Sequence, residues 1–218
     1  MHGSALRAPG PGSVRGVQAT QLIEAHRDLW QAATQPAFLA GVRDGSLDPH
    51  LFGSWLAQDY LFASALLSFQ ARLVARAPRA AQPALARGVV ALVDELAWFE
   101  SQAVQRDVAL ATVAAPTTLE YLALLGRLDT APTQVALVAL WALERVYLDA
   151  WRAAQPGAGA YREIVEHWTT PAFADYVAEL ERLVDDSLAE ALSQRQQDVF
   201  AEVLRLEVAF WDAAVTAP

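Results

Sequence analysis

The sequence has no cysteine and no lysine, and nowhere does it run for about 18 apolar residues without interruption. Each absence closes off a chemistry. Without cysteine there is no disulfide framework, no thiolate nucleophile and no sulfur ligand, so redox usage says nothing about compartment, and any catalysis must come from oxygen or imidazole groups. Without lysine there is no Schiff base and no phosphate-loop lysine. All 16 basic residues are arginines, set against 25 acidic residues for a formal charge of -9. Such a surface repels phosphate backbones, and with no basic run, recognition-helix pattern or zinc spacing the sequence excludes nucleic acid as a partner. The lack of a long apolar run argues against a membrane span. The segment from Met1 to Arg15 is rich in Gly, Pro, Ser and Arg and has no continuous apolar region, which argues against a secretory signal. The expectation is a cytoplasmic protein with a disordered leader over 1–17 and a single domain over 18–218.

What is present is apolar and helix-forming. Apolar residues make up 54% of the 218, with alanine and leucine dominant, a mixture that suits helices packed on helices better than a sheet. Apolar positions recur at intervals of three and four, punctuated by Pro, Gly and Asp, and predict an all-α fold with helices over 18–33, 36–43, 48–77, 80–109, 117–128, 132–154, 160–188 with a break near Pro171, and 193–215. Asp48 before Pro49 fits an N-cap followed by proline at the first helical position. No internal repeat or sustained heptad array appears.

The informative feature is what interrupts the apolar stripes. Phe52, Trp55, Phe62, Leu66 and Phe69 form one stripe, and Asp59 occupies the position that would complete it. On the last helix, Phe200, Val203, Leu204, Phe210 and Trp211 surround Glu207. Glu144 lies among Leu137, Leu140, Trp141, Tyr147, Leu148 and Trp151, and Glu95 lies beside Leu92, Trp98 and Phe99. An isolated ionised carboxylate inside a protein is costly, so each must find a partner, raise its pKa or face a polar cavity. Converging helices can gather such groups around an aromatic-walled pocket, where raised pKa values suit them to acid and base duty near neutral pH. For Glu95 and Glu144, pairing with arginines on neighbouring helices is an equally good reading.

Competing chemistries lack their residues. A di-iron bundle needs Glu-x-x-His pairs, and His26, His50 and His167 fall on separate segments, with His2 in the leader. Each histidine is expected at the surface or in local bonds; His26 alone is arguable as an inward, haem-type ligand. The strand-turn-helix elbow of a serine hydrolase and a glycine-rich phosphate loop are also missing. No metal and no cofactor are expected.

Four segments together carry a family resemblance. FGSWLAQDYLF, Phe52 to Phe62, resembles the TenA (thiaminase-II) signature. ALVDELAWFE, Ala91 to Glu100, and ALWALERVYLDAW, Ala139 to Trp151, are similar to the cysteine-less TenA-E branch, and LRLEVAFWDAA, Leu204 to Ala214, resembles the family's C-terminal Glu-x-x-Phe-Trp helix. The likeness runs from about residue 20 to the C-terminus. It implies a haem-oxygenase-like helical bundle without haem, a small-molecule pyrimidine substrate and a homo-oligomer, either dimer or tetramer.

Residue by residue, the resemblance implies that Asp59 binds an aminopyrimidine ring, that Phe62 replaces a tyrosine of the family, that Tyr121 and Trp168 are pocket aromatics, and that Glu207 donates or accepts a proton. Ala139 stands where thiaminase-II members carry the nucleophilic cysteine, and an alanine methyl offers no nucleophile. The implied activity is therefore hydrolysis of an aminopyrimidine or formylaminopyrimidine in thiamin salvage. The ring would be held among Trp55, Phe62, Tyr121 and Trp168, with Glu207 activating water, Glu144 orienting it or holding the substituent, and Glu95 on the substrate side. Alternatives are a pyrimidine-binding protein without turnover, a different cofactor-independent reaction on the same fold, and a purely structural bundle with arginine-paired acids.

Overall fold

The computed structural model describes residues 18–188 and 192–216, so the expected leader over 1–17 lies outside the described residues. Among the described residues every regular element is helical, as the composition predicts: α1 (Thr20–Ala25), α2 (Arg27–Thr34), α3 (Ala37–Asp44), α4 (Pro49–Arg76), α5 (Gln82–Arg106), α6 (Pro116–Leu128), α7 (Thr133–Ala153), a 3-10 turn (Gly159–Tyr161), α8 (Arg162–Trp168), α9 (Pro171–Ser187) and α10 (Gln194–Thr216). No helix among them is long and apolar enough to cross a membrane.

Local chemistry sets several of the ends. Asp48 accepts a hydrogen bond from the His50 backbone N–H at 2.8 Å, with Pro49 opening α4 as expected. Gly45, at φ 84°, closes α3 with a left-handed residue. Two boundaries differ from the periodicity. The helix expected over 18–33 is two helices, because His26 leaves helical geometry (φ -120°, ψ 34°), with its ring stacked on Phe200 at 5.6 Å. The helix expected to reach 109 stops at Arg106, where Asp107 adopts φ 55° and turns the chain. The expected break near Pro171 is real: Thr170 Oγ1 accepts from the Phe173 N–H at 3.2 Å and starts α9 afresh.

The centre of the molecule is α7. Every residue over 135–143 is buried, so this helix is enclosed on all sides rather than amphipathic. It packs against α2, α3, α4, α8, α9 and α10, while α4 also lies along α5 and α6. Its own Trp141 and Trp151, with Trp55 of α4 and Trp211 of α10, are almost wholly buried. Beyond this apolar centre, α4, α5, α7, α8, α9 and α10 diverge around a cavity.

Candidate active site

The four stripe carboxylates line one cavity of about 860 Å³. Asp59 comes from α4, Glu95 from α5, Glu144 from α7 and Glu207 from α10. Each sits where its helix would otherwise present an apolar side chain to the core, which is why four helices can turn them to a common space. Asp59 and Glu207 are only 4% and 5% exposed, whereas Glu95 and Glu144 are half-buried and face the chamber they line. The outer rim lies between α5 and α9, where Arg87, Asp94, Asp175 and Arg182 are exposed and Arg87 pairs with Glu179.

Each deep acid has a neutral hydrogen-bond donor in place of a cation. Tyr147 donates to Asp59 Oδ2 at 2.9 Å, Tyr121 donates to Glu207 Oε2, and the Trp168 indole N–H donates to Glu95 Oε1 at 2.8 Å. The ion pairs among the described residues leave the four acids out: Arg87 with Glu179 sits at the rim, and Arg72 with Asp129, Arg127 with Glu202 and Arg145 with Asp149 and Glu181 lie elsewhere. The arginine-paired reading of Glu95 and Glu144 therefore does not hold among the described residues.

Burial without a counter-ion raises all four pKa values. Asp59 is held well above the usual carboxylate range, first by burial and then by the charges of Glu95 and Glu207, with the Tyr147 hydrogen bond opposing. Burial raises Glu95 against the opposing Trp168 bond. Glu144 is pushed up to about 8 by burial and by the charge of Glu95. Glu207 is pushed up to about 7 by burial, with the Tyr121 bond opposing. The acids feel one another across the chamber, Asp59 the charges of Glu95 and Glu207, and Glu144 that of Glu95. Among the described residues no three acidic or histidine side chains gather so as to hold a metal ion.

The aromatic wall is partly as expected. Phe62 and Trp168 line the cavity. Trp55 and Tyr121 stand one layer behind it: Trp55 packs edge-on to Trp168 at 5.6 Å and lines a separate recess of about 720 Å³, and Tyr121 backs Phe62 at 4.7 Å while holding Glu207. Ala139 is fully buried and is not among the lining residues, whereas Leu143 and Glu144, one turn further along α7, are. Tyr147, Trp98 and Tyr176 also line the chamber. Tyr147 and Trp98 were visible only as stripe neighbours of Glu144 and Glu95, and nothing in the sequence marks Tyr176. His167, expected at the surface or in local bonds, lines the chamber with its ring stacked on Trp98 at 3.9 Å, and burial lowers its pKa to about 4, so it is neutral.

A sequence model of the TENA/THI-4/PQQC family matches residues 23–217. The chain belongs to that family. A TenA-family relative from Glycine max, named "Probable bifunctional TENA-E protein", is 28% identical over 205 residues, covering 87% of this chain and 90% of the relative. The TenA homologue from Pyrococcus furiosus superposes with a TM-score of 0.84 at 27% identity, over 90% of this chain and 98% of that one. A protein from Silicibacter sp. TM1040 described as a TenA family transcription regulator also reaches 0.84, at 21% identity, over 92% and 97% of the two chains. The fold is thus the all-α, haem-oxygenase-like bundle of TenA proteins. This TenA chain has no cysteine at any position.

Proposed function

We propose that the protein hydrolyses an aminopyrimidine or an N-formylaminopyrimidine of the kind produced by thiamin breakdown, using carboxylates and water with no covalent thiol intermediate. The observation that carries this reading is the set of four acids with raised pKa values and no cation, enclosed by aromatic side chains in one chamber. A flat heteroaromatic ring suits walls formed by Phe62, Tyr147 and Trp168. A carboxyl in either protonation state complements the ring nitrogens and exocyclic amines of a pyrimidine. The acidic interior disfavours a phosphorylated ligand.

The burial of the acids suggests a division of labour. Asp59 and Glu207, the two most buried, hold the ring, and Glu207 exchanges a proton with it or with the departing amine. Glu144, less buried, activates the water. With values near 7 and 8, both glutamates are poised for proton transfer at neutral pH. The name of the Glycine max relative, a bifunctional TENA-E protein, fits a site that accepts more than one such substrate.

The test is to incubate the purified protein separately with thiamin, the aminopyrimidine and its N-formyl derivative and to follow the products by mass spectrometry. The expected result is conversion of the last two with thiamin intact. Unchanged aminopyrimidine and formyl compound would refute the hydrolase, and hydroxymethylpyrimidine released from thiamin would refute the exclusion of thiaminase chemistry.

A further inference from the structure

Tyr176 lines the chamber from α9 and reaches across α5 to Gln70 of α4. Gln70 has no exposed surface, and its Nε2 donates both to the Leu85 carbonyl at 2.9 Å and to the Tyr176 hydroxyl oxygen at 2.8 Å. A carbonyl oxygen can only accept, so Leu85 fixes which way the amide is turned. Both hydrogens of that nitrogen are thereby committed, and the tyrosine oxygen is the acceptor. The tyrosine's own proton is directed away from Gln70 and has no acceptor among the described residues.

The crossing depends on Gly88. A Cβ at this position of α5 would lie 2.0 Å from Gln70 Nε2, 2.2 Å from the Tyr176 hydroxyl and 2.6 Å from its Cζ. A glycine inside a helix costs about 1 kcal/mol relative to alanine, and here it opens the notch through which the two side chains meet. Burial and the charge of Glu144 keep the hydroxyl protonated, and both side chains line the chamber.

We infer that Tyr176 is a hydrogen-bond donor to the carbonyl oxygen of an N-acyl substituent, with Gln70 and Gly88 as the residues that position it. The inference rests on the hydrolase reading and deepens it, giving the chamber a group that serves the acyl substrate and not the free amine. In the step it assists, the oxygen of water bonds to the formyl carbon and the carbonyl π pair moves to oxygen, which accepts the Tyr176 hydrogen bond. The water proton passes to Glu144 in its ionised form. Collapse restores the C=O bond and breaks the C–N bond as Glu144 delivers that proton to nitrogen, releasing formic acid, which ionises, and the primary amine. A fixed donor aimed at the developing oxyanion stabilises the transition state more than the ground state.

The experiment measures kcat and KM for the N-formylaminopyrimidine and, in parallel, for the free aminopyrimidine, with the parent, Tyr176→Phe and Gly88→Ala. Tyr176→Phe keeps the ring and removes only the donor, and it is expected to lower kcat on the formyl compound by about 10²- to 10³-fold with KM little changed. The free amine, which has no carbonyl, should be turned over at the parental rate. Gly88→Ala keeps the hydroxyl but displaces it, and should shift kcat in the same direction; if it fails to fold, Tyr176→Phe alone decides. Parental rates on both substrates for Tyr176→Phe, or equal losses on both, would overturn the inference, the second outcome indicating a structural role. A parent inactive on the formyl compound would also overturn it. The parent's own rates show whether the hydrolase reading has failed as well, which happens only if the free amine too is untouched.

Discussion

Glu144 keeps its proton to about pH 8 because it is buried beside the charge of Glu95, and burial holds that of Glu207 to about pH 7. If these two move protons in the reaction, replacing either with Gln should lower kcat by about 10²- to 10⁴-fold while the helix content stays unchanged. Steady-state kinetics beside circular dichroism would check this, and a Glu207→Gln variant at the parental rate would remove Glu207 from the mechanism. The same values predict a bell-shaped profile of kcat/KM with its maximum between about 7 and 8, the limbs belonging to the pair and not to either residue. A profile flat from about pH 6 to 9 would contradict it. At this scale the sequence was informative in one direction only. Asp59 and Glu207 stand out because each breaks a run of large apolar residues. Their partners do not, since Tyr147 and Tyr121 lie 88 and 86 residues away and look like ordinary core aromatics until the helices are brought together. Trp55 shows the converse: its place in the stripe is the same as that of a wall residue, and only packing puts it behind Trp168.

Among the elements, α9 is the outer wall of the chamber and depends on how it begins. Thr170 both lines the cavity and caps this helix through its hydroxyl. Thr170→Ala should cost about 1 kcal/mol of stability, seen as a lower midpoint in urea with the slope unchanged. Thr170→Ser, which keeps the hydroxyl, should restore most of it. The helix ends most legible in the sequence are those set by local chemistry of this kind, such as the Asp48-Pro49 start and the break before Pro171. The break at His26 and the stop at Asp107 were not legible, because the apolar spacing continues through both; the His26 ring stacks on Phe200, and Asp107 takes a left-handed conformation. Gly88 belongs to the same class. In sequence it is a mild weakness within a helix, and its use appears only when Gln70 and Tyr176 are seen to meet over it.

For the whole molecule, four acids with raised pKa values make folding dependent on pH. A carboxyl with a folded value near 7 or 8 and an unfolded value near 4.5 binds its proton more tightly in the folded state. Stability from this source is fully present below about pH 4.5 and is lost progressively until pH passes about 8, because over that window the unfolded chain holds fewer protons. Glu144→Gln removes the ionisation that folding must suppress. It should leave the melting temperature nearly unchanged near pH 5 and raise it by at least about 2 °C at pH 8.5, read by calorimetry. An equal shift at both pH values would mean that the side chain is not held protonated in the folded protein. The variant that loses activity would thus be the more stable one.

Among the described residues no arginine pairs with the four chamber acids, the Arg87–Glu179 pair lying at the rim, and this has an outcome for whatever enters the chamber. The missing positive charge has to arrive with the guest. A ligand that comes in as an ammonium ion would eject hydrogen ions from the acids it meets, so its association should tighten as the solution is made more alkaline, from about pH 6 to 8, until the guest itself loses its charge. Titration calorimetry in two buffers of different ionisation heat would count the hydrogen ions released.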